Sequence, residues 1–350
     1  MPKCESICFR ASNVRIEREF VARMYGDAIA HVPVLRYLGV WFDRSLTWGH
    51  QVTVATTKAR ERLWLVRRLG GRAWGLHPHL FLRLVQGVVL PLLFFGVPCW
   101  ASVLRHSSRL SQVDAVLALA ARMAYRLERT TSVEASLALA GIFPARQQIL
   151  RRLLRYLWRR DRAALTATDA LIPARHVLAS ELGRVFFQRS VRGHTISTHL
   201  PTRRAIVFGG IDRALHEEWH RRWRTSTQGA ALREVLPRVG AQWRLAEATG
   251  LASTWDTTLA ARFFTGHCHM GTCQTPWHEN EDWIECPFCA EAFTRTHLVW
   301  ECHGVTAERE RCFGGTLSTS VGDWSTLLGR GAARLGRFLR AVGLLVDRAD

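Results

Sequence analysis

From His50 to Leu69 the residues Val52, Ala55, Ala59, Leu63, Val66 and Leu69 recur at spacings of three and four, and Gly70-Gly71 closes the run. That period predicts an amphipathic helix. A second helix is expected to open at Pro78, where a missing N–H costs nothing, and to carry Leu82, Val85 and Val89 toward a kink at Pro91. A third starts at Ser108, with Leu110, Val113, Leu117, Ala120, Ala124 and Leu127 on one face and Arg109, Arg122 and Arg126 off it. Thr131-x-x-Glu134 has the form of a capping box for a short helix stopped at Gly141. After Pro144, ARQQILRRLLRYLWRRDRAAL sets an apolar stripe through Ile149, Leu153 and Leu157 against Arg146, Arg151, Arg152, Arg155, Arg159, Arg160 and Arg162.

From about Thr166 to Gly210 the period weakens while Gly, Ser, Thr and Pro accumulate. Helical patterning returns at LHEEWHRRW, where Trp219 and Trp223, one turn apart, read as core or interface. Before all of this, two short β-like runs, ESICFR and VLRYLGVWF, suggest the edge of a sheet. The expectation is a mainly α chain: a small β element over 1–48, a helical domain over 49–165, a linker over 166–210 and a second helical domain over 211–350. The most apolar run, VVLPLLFFGVPCWA, is interrupted by Pro91 and Pro98 and falls short of the about 20 residues a membrane helix needs, so it reads as core and no membrane partner is expected.

Charge changes the picture. The formal net charge is +19, and Lys3 and Lys58 are the only lysines, so the excess is carried by arginine. Arginine grips phosphate bidentately and stacks on bases, which suits a polyanionic partner such as nucleic acid; the competing reading is a solvated surface. The helix after Pro144 divides between the same two readings. Nine cysteines, odd in number and unevenly clustered, with no secretory pattern before them, argue against a disulfide framework and for an intracellular, nuclear setting.

Three of those cysteines fall in CPFCAEAFTRTHLVWEC. Cys286, Cys289, His297 and Cys302 have the spacing C-x2-C-x7-H-x4-C, a donor set that matches tetrahedral zinc, in a segment too short to build a core of its own. Three thiolates around Zn2+ leave a site charge of −1, which Arg295, Arg309 and Arg311 are placed to offset. His303 competes for the imidazole role, while His267, Cys268, His269 and Cys273 upstream fit no closed set. Phe288, Arg295 and Trp300 add a possible stacking surface for unpaired bases.

In this order, KCESICFR, YLGVWFDRSLTW, a helix ending RRLGG, LRLVQGVVLPLLFFGVPCW and TTSVEASLALAGIFP resemble the region after the catalytic loop of non-LTR (LINE-type) retrotransposon reverse transcriptases. WHRRWRTSTQGAAL, RFFTGHCHMG and the Cys-His cluster through THLVWECHGVTAERER are similar to the zinc-binding tail of the same polyproteins. The resemblance covers nearly the whole chain, least securely around 166–205. It implies an RNA-directed DNA polymerase with Lys3 at the late-palm lysine, Tyr37-Leu38-Gly39 at a palm hairpin and residues from about 50 to 165 as a thumb on the template–primer.

The chain departs from that family where chemistry would occur. Nucleotidyl transfer by two Mg2+ ions needs clustered carboxylates, and no Asp-Asp pair is present, so no catalytic residue is assigned and the chain alone is expected to be inactive. Neither an RNase H set of acids nor a nuclease set after Cys302 is recognisable. The expected role is therefore duplex and RNA handling by Arg60, Arg67, Arg68, Arg72, Arg146, Arg152, Arg155, Arg159, Arg295 and Trp300, with the N-terminal portion of a polyprotein as a further partner. A free-standing basic zinc protein, or a decayed reading frame, are the alternatives.

Overall fold

The computed structural model describes residues 4–9, 21–69, 76–163, 200–239, 245, 252–267, 285–317, 319–328 and 331–343. The described chain is mainly helical, with a few short strands near its start. β1 (Glu5–Ser6) pairs in parallel with β4 (Ala30–His31), and β2 (Arg23–Met24) turns back on β3 (Asp27–Ala28). The second apolar run predicted as one strand is a hairpin. β5 (Val34–Tyr37) and β6 (Val40–Asp43) pair from Val34↔Asp43 to Tyr37↔Val40, with Leu38 and Gly39 both at positive φ in the two-residue turn. Such a turn matches the right-handed twist of the strands, and Gly39 supplies it.

The chain divides into two compact units. One comprises Met1–Arg62, Val88–Val116 and Ala145–Leu215; the other comprises Leu63–Gly87, Leu117–Pro144 and His216–Asp350. The division falls inside α1 (Gly49–Arg67), α5 (Ser107–Tyr125) and α8 (Leu200–Thr225), and α8 begins inside the stretch expected as a linker.

In the first unit the Asp43 carboxylate accepts from Thr47 N and Trp48 N at 2.8 and 2.7 Å, tying the hairpin to the start of α1. The indole of Trp48, 3% exposed, donates to Ser102 Oγ at 2.5 Å. Val52, Ala55 and Ala59 of α1 are buried, as their spacing predicts. In the second unit α2 (Pro78–Leu84) runs into a π turn at Val85–Val89, and α3 (Leu90–Leu93), in the first unit, has Pro91 in its first turn. The break therefore comes before the proline. An α-helix continued through Pro91 would drive its ring into the carbonyl four residues back, and the wider turn relieves that clash. Gly96, at φ +66, reverses the chain into α4 (Val97–Trp100), followed by a 3-10 turn over Ala101–Arg105. No single helix among the described residues is long and apolar enough to cross a membrane; Pro78–Leu93 with Val97–Arg105 passes as a bent pair on length and composition alone, and its Phe81, Val85, Leu93, Val97 and Trp100 are buried.

α7 (Ala145–Ala163) starts where Ala145 N donates to Asp114 Oδ1 at 2.6 Å, and its Leu153 packs on Ala101. In the second unit, α6 (Val133–Ala140) is capped by Ser132, whose Oγ accepts from Ala135 N at 3.2 Å, instead of by the expected Thr131; Gly141 ends it in the left-handed conformation as predicted. Thr131 is drawn away because its carbonyl accepts from Arg122 Nε at 3.0 Å. Trp219 and Trp223 are both core residues, and Trp223 Nε1 donates to Leu236 O just past α9 (Ala230–Val235). α10 (Thr254–Thr265) packs closely on α12 (Gly331–Ala341): any Cβ at Gly336 would sit far inside contact distance of Asp256 O.

Candidate metal centre

Cys286 N accepts its place in a tight turn by donating to Glu291 O at 2.6 Å, while Cys289 N and Ala290 N both donate back to Cys286 O. Ala290 takes φ +60 to complete this knuckle, which a short antiparallel bridge, Glu285↔Ala292, closes at its base. Gly304 lies against the knuckle so closely that a Cβ there would overlap the backbone carbonyl of Phe288.

The other two donors come from a π turn, His297–Glu301, which is flanked by Cys302 and by a 3-10 turn at His303–Val305 leading into α11 (Thr306–Phe313). On an α-helix, residues five apart point about 140° away from one another. Here Cys302 N bonds His297 O at 2.7 Å in the i→i+5 pattern, and His297 and Cys302 turn to the same side. Thr294 Oγ1 accepts from His297 N at 2.9 Å and fixes the start of the turn.

The result is one compact donor set. Cys286, Cys289, His297 and Cys302 offer ligand atoms all within 4.8 Å of one another. Cys302 Sγ stands 3.6 Å from Cys286 Sγ and 3.7 Å from Cys289 Sγ. A tetrahedron with Zn–S bonds of about 2.3 Å has an S···S edge of about 3.8 Å, so these sulfurs are already spaced for zinc. His297 Nε2 faces Cys289 Sγ at 3.1 Å, while its Nδ1 lies 3.3 Å from Glu291 Oε2. That arrangement places the proton on Nδ1, donated to the carboxylate, and turns the Nε2 lone pair toward the thiols. Burial, with hydrogen bonds to Cys286 and Cys289, pushes the Cys302 thiol up to about 12, since three adjacent thiolates cannot coexist out of water without a cation. Arg309 Nη2 donates to Cys302 O, bringing a positive charge beside the site. The donor types, spacing and imidazole partner fit a structural zinc, which would cross-link the two short segments.

The expected alternatives fall away or lie elsewhere. Among the described residues the cluster comprises those four side chains and leaves out the exposed His303. His267 Nδ1 is near Thr265 O, and Cys268, His269 and Cys273 lie outside the described residues.

The arginines named from sequence sort into two groups. Arg60 on α1, Arg68 in the turn just past it and Arg159 on α7 are exposed; Arg67 and Arg146 are half-buried, and Arg72 lies outside the described residues. Arg155 is turned to internal use. It and Arg151 clamp the Asp212 carboxylate of α8 at 2.8 Å, and Arg155 also covers the Phe208 ring at 4.8 Å. Arg152 lies over Phe94 at 4.2 Å and donates to Gln148 Oε1; burial and its neighbours Arg151 and Arg155 lower its pKa to about 10. Arg295 is a fastener, with its side chain only 11% exposed. Nη1 reaches Ala231 O at 3.1 Å and the α10 carbonyls of Phe263 and Phe264 at 3.4 Å, Nη2 pairs with Glu234, and the guanidinium covers Trp324 at 5.3 Å. Trp300 packs edge-on against the same Trp324, ring centroids 4.8 Å apart. These placements depend on partners far away in sequence, and no local signal announced them.

A Cys-His knuckle in a basic, helical chain agrees with what sequence comparison finds: the chain is related to proteins encoded by non-LTR retrotransposons. It is 26% identical over 239 residues to the Retrovirus-related Pol polyprotein from type-1 retrotransposable element R1 4 of Nasonia vitripennis, covering 67% of this chain and 52% of that protein. It is 21% identical over 212 residues to the corresponding R1 polyprotein of the same wasp, covering 60% and 55% respectively. The chain thus spans about half the length of the curated relatives it matches. No protein-family model matches the chain, and no solved structure does.

Proposed function

We propose that this chain is the C-terminal, nucleic-acid-handling part of a non-LTR retrotransposon reverse transcriptase. In this reading β1–β6 belong to the palm, the helices from α1 to α7 form the thumb, and the zinc-closed knuckle is the tail. The observation that carries the reading is the similarity to R1 Pol polyproteins across two thirds of a chain whose net charge is +19. Exposed guanidiniums hold template–primer duplex or the element's own RNA by phosphates, without base readout, and the work is done in the nucleus. Zinc supplies a structural cross-link. Polymerisation would draw its Mg2+-binding carboxylates from elsewhere, because this chain has no Asp-Asp pair.

The test is a titration of zinc-loaded chain against fluorescent RNA–DNA duplexes of several sequences over about 50 to 200 mM salt. Affinity should fall with a log–log slope of about 0.9 per phosphate neutralised and vary little with sequence. Reversing the exposed set, Arg60→Glu, Arg68→Glu and Arg159→Glu, should flatten that slope. The internally bonded Arg155 would be a poor probe, since its loss removes half of the clamp on Asp212 and leaves only Arg151. Primer extension by the chain alone should not occur with Mg2+ and nucleotides. Absence of duplex and RNA binding at low salt would refute the proposal.

A further inference from the structure

From Leu84 to Leu104 the sequence holds no Asp, Glu, Lys or Arg, the longest such run in a chain of net charge +19. Much of the run is core, yet its outer flank is apolar as well. Val88, Leu92 and Phe95 are 42%, 40% and 53% exposed, while Val89, Leu90, Leu93 and Phe94 between them are buried. The β5–β6 hairpin of the same unit joins this flank: a Cβ at Gly39 would stand 3.0 Å from Phe95 Cε1, and one at Gly96 would overlap Val40 Cγ2. Tyr37 pairs with Val40 and so shares the hairpin face that meets Gly96. Tyr37 and Leu38 are 61% and 80% exposed. Leu38 holds φ +46, which a leucine adopts only at a cost, and the result is an apolar tip left in water.

Two aromatic side chains a little over half exposed leave about 200 Å² uncovered. With the three aliphatic ones the patch enters the range of a few hundred Å² that marks an interaction site. Charge narrows the choice of partner. Arg36 lies on the opposite face of the hairpin, over Trp41 at 5.9 Å, and Arg152 covers the buried Phe94 from the core side. Nucleic acid draws its affinity from phosphates held by cations, and an unrelated protein gains most on so basic a chain where its acids can meet guanidiniums. A contact without arginine suits a partner that is itself cationic. A second copy of this chain is such a partner, because two copies repel wherever their arginines meet and this flank sets none against another.

We propose that Tyr37, Leu38, Val88, Leu92 and Phe95 form a self-association face through which two copies of this chain pair as an isologous dimer. Patch against patch, such a contact buries about 1,000 Å² in all, the low end for specific interfaces, and its dissociation constant is on the order of 10 µM. The proposal goes beyond the nucleic-acid reading and does not depend on it.

The experiment follows zinc-loaded full chain, stripped of nucleic acid, by analytical sedimentation from about 1 to 100 µM, at about 0.15 and 0.5 M salt. The mass should climb from 39.7 kDa toward twice that value. Higher salt should leave the association unchanged or tighten it, because it screens the repulsion between the two basic copies. Leu38→Arg and Leu92→Arg each place an unpaired guanidinium in the contact twice, by symmetry, and should weaken pairing at least about tenfold. Both positions are exposed, so both variants should melt like wild type at the lowest concentration. Leu65→Arg, at a 46% exposed position on α1 away from this flank, should pair as wild type does. A wild type that stays monomeric throughout would overturn the proposal. So would pairing that survives both Leu38→Arg and Leu92→Arg, pairing that Leu65→Arg weakens equally, or pairing that high salt abolishes. A monomeric wild type whose affinity for RNA–DNA duplex falls on Leu92→Ala would give the flank to nucleic acid instead, and overturn it as well.

Discussion

Replacing Arg295 with alanine separates the use suggested by its position in the sequence from the use seen in the fold. As an exposed contact to nucleic acid, Arg295 would be silent for stability and costly for binding. The structure implies the reverse. Nη1 shares one charged hydrogen-bonding position among Ala231 O, Phe263 O and Phe264 O, and the last two belong to the C-terminal turn of α10, where Phe263 O also accepts from Gly266 N at 3.2 Å. A charged hydrogen bond of this kind is worth about 1.5–3 kcal/mol. Cover of the Trp324 ring at 5.3 Å adds about 0.5–1 kcal/mol. The pair with Glu234, itself half exposed, adds at most about 1 kcal/mol. Together these place the cost of Arg295→Ala at about 2–5 kcal/mol, or a fall of roughly 4–20 °C in midpoint for a unit of this size. Zinc-saturated wild type and variant should be unfolded thermally and in urea, with zinc content and RNA affinity measured on the same samples. Arg295→Lys should recover little, because an ammonium cannot span the carbonyls and cover the ring together. A variant within about 0.5 kcal/mol of wild type that loses RNA affinity instead would refute the reasoning.

The remaining predictions concern the metal centre and one helix contact. Purified chain should carry one zinc, and Cys289→Ser should lose it, with a large drop in helical content downstream of the knuckle by circular dichroism. Acid should release metal from the loaded form by protonating its thiolate and imidazole ligands. Gly336→Ala should destabilise by about 1–3 kcal/mol, since the new Cβ meets the backbone at Asp256 and no flexible side chain can yield; a neutral result in urea unfolding would show that α10 and α12 do not approach so closely.

What could be read from the chain beforehand was whatever depends on neighbours in sequence. The faces of α1 and α5, the stop at Gly141, the core placement of Trp219 and Trp223, and the four candidate ligands all rest on spacings of a few residues. Small errors arose where two adjacent residues could serve equally: Ser132 caps α6 because Arg122 occupies the Thr131 carbonyl. The turn at Leu38-Gly39 carries no local signal of its own, because leucine rarely takes positive φ; only the family resemblance put a hairpin at Tyr37-Leu38-Gly39. The arginines were the least legible. Whether a guanidinium faces solvent or a carboxylate depends on chain far away, and Asp212 lies 61 positions beyond Arg151. A cationic helix face such as that of α7 reads the same in either case.

The metal knuckle differs from the rest of its unit in the length of chain it must gather. Its outermost ligands, Cys286 and Cys302, are sixteen positions apart, whereas Arg295 reaches 61 positions back to Glu234. Closing the short loop costs little chain entropy, and zinc can close it before the long contacts exist. With zinc as the occupant, metal capture would be an early, local event in the making of the protein, and the seating of Arg295 beneath α10 a later one. A cell short of zinc during synthesis would present α9 and α10 with a slack segment in place of a preformed wedge. The timing of metal supply, as much as its final occupancy, would then govern how much of the chain matures.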